Sequence, residues 1–137
     1  MNPRKYLYQI ITGTSELMGK LGNGVESVFS GGELTEAPSF RPFIVIRMLP
    51  TTAGPFPGTA FHAFQIWFHG DPERNSYVDL DEMVDISRSA LRSAAANDNL
   101  LQVHWESDSE DRIDDQMRTI VRATTCRIAA TLRYNGN

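Results

Sequence analysis

The chain has 137 residues, which is enough for one buried core and too few for two ordinary ones. A content of 41% hydrophobic and 22% charged residues is globular and argues against wholesale disorder, while a net charge of −4 argues against duplex nucleic acid as the main partner. No apolar run approaches the roughly 18 residues of a membrane span, and the single cysteine, Cys126, excludes an internal disulfide.

From the first residues, MNPRKYLYQII, Asn2 and Pro3 supply a capping side chain and a first-turn proline, and Tyr6, Leu7, Ile10 and Ile11 follow at helical spacing. This opening lacks a long apolar stretch with a small-residue cleavage site, so export is not expected and synthesis in a cytosol is. TSELMGKL then predicts a second short helical turn, with Leu17, Met18 and Leu21 on one side and Gly22 ending it. VESVF (25–29) reads as a weak strand. The segment 30–40, with its glycines and proline, reads as a loop or arm.

FIVIRML (43–49) and AFHAFQIWFH (60–69) are rich in β-branched and aromatic residues, and the breakers of 50–59 between them predict a long-looped hairpin. In the second strand Phe64, Ile66 and Phe68 share one face, and Phe61, Ala63 and Trp67 share the other. A strand apolar on both faces expects cover on both, from helices on one side and another subunit on the other. Asp79 and Glu82 then read as a capping box that opens an amphipathic helix over about 79–95, burying Leu80, Met83, Val84, Ala90, Leu91 and Ala94. LLQVHW (100–105) alternates, placing Leu101, Val103 and Trp105 on one face, and TIVRATTCRIAATLR (119–133) is a long Thr- and Ile-rich strand. The expectation is a single α+β domain over 1–137 with a mostly antiparallel sheet, an N-terminal helix and one amphipathic helix packed on one face.

Chemistry-bearing patterns are scarce. GTSELMGKL (13–21) approaches a phosphate loop, but five residues separate Gly13 from Gly19 in place of four, and Leu21 sits where a hydroxyl must meet magnesium. His62 and His69 fall on opposite faces of one strand, about 23 Å apart at ~3.3 Å per residue, so with His104 they make no zinc site. Cys126 shares a register with Ile128 and Leu132 and has no base nearby, which predicts a small buried residue. The expectation is therefore no catalytic residue, no metal and no cofactor.

One segment stands out. WESDSEDRIDDQ (105–116) holds six carboxylates, Glu106, Asp108, Glu110, Asp111, Asp114 and Asp115, around the lone Arg112. A calcium loop starting at Asp108 fails, because Ile113 replaces the glycine of the sixth position and the twelfth is no glutamate. A pair of glycosidase carboxylates needs a cleft lined by aromatics, and Trp105 alone is a thin basis for one. The remaining readings are a charged turn joining the last two strands, and an assembly contact. The turn is long for a bare connection, which keeps the contact reading open.

The runs FQIWFHGDPERNSYVDLDEMVDISRSALRS and LLQVHWESDSEDRIDDQMRTIVRATTCRIAATL resemble the tail terminator proteins of long-tailed bacteriophages, particularly those of actinobacterial phages. The likeness rests on the aromatic strand ending in His69-x-Asp71, the helix opening near Tyr77, and the pattern Trp105-x-x-Asp108-Ser109-x-Asp111. The acidic pair Asp114-Asp115 and Thr119-Ile120-x-Arg122 complete it, so that it covers roughly 62–132. GDP at 70–72 and DRIDDQM at 111–117 depart from the family's simpler turns.

The resemblance implies a non-enzymatic virion subunit at the head–tail junction, made in the host cytoplasm. Six copies would close a ring that caps the tail tube and meets the head-side neck protein. It further implies no membrane and no sequence-specific nucleic acid, with DNA passing through the ring lumen. Another neck, head-completion or tube ring protein is the alternative of the same class. A small cytosolic α+β enzyme or ligand-binding dimer is the alternative of a different one.

Overall fold

The computed structural model describes residues 2–32, 34, 36–54, 56–97 and 102–131. Helix α1 (Pro3–Thr12) starts as its sequence requires, with the Asn2 side chain accepting a hydrogen bond from the backbone N–H of Lys5 at 3.1 Å. Leu7 and Ile11, one turn apart, are fully buried. Helix α2 (Ser15–Met18) buries Leu17, and the chain then closes tightly on itself at Gly22. The Gly22 N–H donates to the Pro42 carbonyl at 2.9 Å, and a Cβ on Gly22 would lie 2.6 Å from the Arg41 backbone, so only glycine fits this crossing.

The stretch expected as a strand over 25–29 is mostly a 3-10 turn (Gly24–Ser27), leaving a two-residue strand β1 (Val28–Phe29). The hairpin forms between β2 (Phe43–Met48) and β4 (Thr59–Gly70), with a small strand β3 (Thr52–Ala53) folded back on β4. Helix α3 (Tyr77–Asn97) follows, then β5 (Gln102–Asp108), β6 (Arg112–Asp114) and β7 (Thr119–Thr131). The seven strands form one sheet in the order β1-β2-β4-β7-β5, with β3 beside β4 and β6 beside β7. Only the short β1–β2 pair is parallel, so the fold is α+β with a mostly antiparallel sheet.

All three helices contribute to one core against one face of the sheet. Leu7, Ile11, Leu17, Leu80, Met83, Val84 and Leu91 meet Ile44, Ile46, Phe64, Ile66, Phe68 and Ile128 there. Ala90 and Ala94 are only half-buried, at the border of that helix face. Gly70 lets α3 approach the sheet, since a Cβ there would already press Leu80 at 3.1 Å. Cys126 is fully buried in the same layer, as its register with Ile128 predicts; Leu101 and Leu132 lie outside the described residues.

The helix start corrects the sequence reading. The side-chain cap contact is Ser76–Asp79, one turn earlier than expected, with the Asp79 carboxylate accepting from the Ser76 backbone N–H at 2.8 Å. Glu82 instead reaches Lys20 at 3.2 Å. Both spacings satisfy the motif; Ser76 wins because Asn75 and Asp71 already turn the chain there, the Asn75 side chain accepting from the Asp71 N–H.

Candidate assembly surface

The opposite face of the sheet has no helix among the described residues. Phe43, Val45 and Met117 form a smaller core at one end of it, flanked by Phe29, Leu34, Ala37 and Trp67. Elsewhere Phe61, Ala63 and Trp67 are half-exposed, and two guanidinium groups lie over the rings. Arg47 sits 5.6 Å from the centroid of Trp67, and Arg127 sits 4.4 Å from that of Phe61. Arginine covers an aromatic ring while keeping its charge toward water, so this face is both apolar and cationic.

The acidic segment lies along the edge of that sheet, and it is not the projecting loop its composition suggests. Strand β5 extends through the bulge at Trp105/Ser107 to Asp108, Ser109 exchanges hydrogen bonds with Ala123, and β6 resumes pairing at Arg112. Strand β7 is long enough to hold both pieces end to end. The turn from β6 into β7 reverses at Arg118, which adopts a positive φ of 56°, and the Asp114 carboxylate braces that turn by accepting from the Met117 N–H at 2.9 Å.

Nor are the carboxylates left to repel one another around Arg112. Three arginines distant in sequence meet them: Arg127 reaches Glu106 at 2.6 Å, Arg88 of α3 reaches Asp108 at 2.8 Å, and Arg122 bridges Asp111 and Asp81. Glu110 pairs with Arg112 at 2.7 Å, which holds its carboxyl below the usual carboxylate range. Asp108 also accepts from the Trp105 indole N–H at 2.6 Å, and Arg88 stacks on that indole at 4.9 Å. The structure thus divides the six acids. Glu106, Asp108 and Asp114 are tied to the body of the domain, Glu110 and Asp111 are exposed in ion pairs, and Asp115 is exposed with no ion pair among the described residues. No spacing rule in 105–116 points to Arg88, Arg122 or Arg127, and the length of the last strand was the only available sign that the segment pairs.

The histidines do not converge. His69 stacks on Phe43 at 4.4 Å and its Nδ1 lies 2.8 Å from the Thr119 hydroxyl. Burial pushes its imidazole down to about 4, with Asp114 opposing and Arg47 adding to the shift. His62 faces the helix side of the same strand, and burial lowers its pKa as well. His104 packs edge-on against Phe61. Burial also raises the Cys126 thiol to about 12, so it is protonated at neutral pH. Among the described residues no group of three or more His, Cys, Asp or Glu side chains is arranged to hold a metal ion.

Two exposed apolar side chains sit on projecting features. Phe56, 64% exposed, crowns the hairpin between β3 and β4, where its carbonyl accepts from the Thr59 hydroxyl. Ile113, 72% exposed, stands on β6 among the acids. No helix of the described residues is long and apolar enough to cross a membrane. No protein-family model matches the chain, and no curated protein matches it either.

Proposed function

We propose that the chain is a ring-forming virion subunit, the tail terminator of a long-tailed bacteriophage, which caps the tail tube and joins it to the head-side neck. The observation that carries this reading is the imbalance of the sheet. Both faces are apolar, the helices of the described residues cover only one, and the half-exposed Phe61 and Trp67 on the other offer a surface that a neighbouring subunit would bury. The resemblance over 62–132 adds the kind of assembly, a six-membered ring with no catalytic step and no cofactor. The exposed acids and the hairpin tip at Phe56 suit docking by charge and shape.

Light scattering followed by negative-stain images of the purified protein tests it. Closed rings of about six subunits are expected, because a cap on a tube needs an assembly without an open lateral end. A protein that stays monomeric at high concentration, alone and with tails, overturns it. Rings that bind tube ends without stopping tube growth would favour another neck or tube protein.

A further inference from the structure

A recess lies at the β2 side of the open face. It has a volume of about 500 Å³, and its lining combines the apolar Phe43, Val45, Trp67 and Met117 with two cations, Arg4 and Arg47, and one carboxylate, Asp114. Three features point to what it takes. First, β1 pairs only with Ile44 and Val45, so Ile46–Met48 presents a strand edge with no partner among the described residues. An open edge beside side-chain pockets is the arrangement that receives an extended segment.

Second, Arg4 and Arg47 form no ion pair with a carboxylate of the described residues. Arg4 donates to the Ser30 carbonyl at 2.7 Å and Arg47 lies over Trp67, so each guanidinium keeps donors for an anion. Third, the matching chemistry is on this chain. Around β6 the chain carries the exposed carboxylates of Glu110 and Asp111, which precede the strand, and of Asp115, in the turn that follows it, beside the exposed Ile113 of the strand itself. The order β1-β2-β4-β7-β5 puts the free edge of β2 and the outer edge of β5 and β6 at opposite ends of the sheet, although the turn after β6 reaches back to the slot through Asp114 and Met117.

We infer that the β2 slot receives the acidic β5–β6 edge of a second copy of the chain, with Arg4 and Arg47 meeting its carboxylates. Because the two strand edges differ, the contact is head-to-tail, the kind that closes into a ring when its rotation permits. The inference rests on the ring reading above and adds to it which surfaces join. Charge pairing across such a contact fixes register and speeds docking, and it weakens as salt screens it.

The test is the assembly of four proteins, followed by sedimentation at about 50 mM and about 500 mM salt: the wild type, Arg47→Glu, Asp115→Arg, and the two changes together. All four should give the same circular dichroism, since both side chains are exposed. Each single change should weaken association by about tenfold or more at low salt, and the double change, which swaps the charges, should restore most of it. If Arg47→Glu assembles as the wild type does at both salt concentrations, this slot is not the joint, while the rings themselves keep the broader reading intact. If both single changes weaken assembly and the double change recovers nothing, the pairing is likewise overturned. A wild type that never associates overturns the inference and the ring together.

Discussion

Arg88 and Asp108 meet at 2.8 Å across the seam between α3 and β5, and Trp105 is held by both: its ring lies under the guanidinium and its indole N–H donates to the carboxylate. Helix and edge strand are thereby joined through one shared acid. Asp108→Ala removes the ion pair and the indole's acceptor together, and should cost about 1–2 kcal/mol, more than a solvated surface pair because both partners are largely shielded. Asp108→Asn keeps an acceptor for the indole and should recover part of that loss. Urea denaturation of the two variants checks this; equal midpoints for Ala and wild type would refute it.

Leu91 is fully buried where α3 meets the sheet, whereas Val78 on the same helix is 64% exposed. Leu91→Ala should cost ~2–5 kcal/mol through lost burial and the cavity it leaves. Val78→Ala should change stability by less than about 0.5 kcal/mol. Thermal or chemical denaturation of the pair distinguishes a correctly assigned helix face from a rotated one.

His69 gives the fold a pH dependence of definite sign. Its pKa is lowered on folding from 6.5 to about 4, so the native state favours the neutral ring. The contribution is fully present above pH 6.5 and is lost as the pH falls from there through about 4, by an amount on the order of 3 kcal/mol. His69→Gln, which cannot titrate, should flatten this part of the stability profile. A wild-type midpoint constant between pH 7 and pH 4 would contradict the assignment.

Asp114 and Asp115 are neighbours with different work. Asp114 braces the turn at Met117, whereas Asp115 is exposed with no ion pair among the described residues. Asp114→Ala should therefore lower stability by about 1 kcal/mol. Asp115→Lys should leave the midpoint unchanged and, on the function proposed above, slow ring stacking or tail joining, with the wild-type step itself weakening as salt rises. The Asp114→Lys/Asp115→Lys double variant should show both effects. Normal assembly of Asp115→Lys at every salt concentration would reduce that acid to a solvated turn residue.

Much of the architecture is legible in the residues. The hairpin follows from the β-branched and aromatic runs on either side of 50–59, and the face of α3 follows from Leu80, Met83, Val84 and Leu91. The acidic edge is not, for a physical reason. Local spacing sees only Arg112, while Arg88, Arg122 and Arg127 come from the preceding helix and the opposite strand, and tertiary pairing converts an apparent self-repelling loop into part of the sheet. One clue was available: β7 is 13 residues long and LLQVHW offers it only six, so its other half needed a partner, which β6 supplies. The β2 slot was invisible because it depends on how little of β2 the two-residue strand β1 covers.

The position of β7 also fixes an order of events during synthesis. Strand β4 pairs with β7 along twelve residues, from Thr59↔Thr131 to Gly70↔Ile120, yet some fifty residues of chain separate them. A nascent chain that has emerged only as far as α3 has the β2–β4 hairpin and its helices, but one whole edge of β4 lies bare, its backbone N–H and C=O groups without the partners that β7 supplies. Such an edge templates the wrong partner as readily as the right one. Crowded translation would bring those bare edges together, so the time between residues 70 and 131 is when this chain is most exposed to a holding chaperone or to its own siblings.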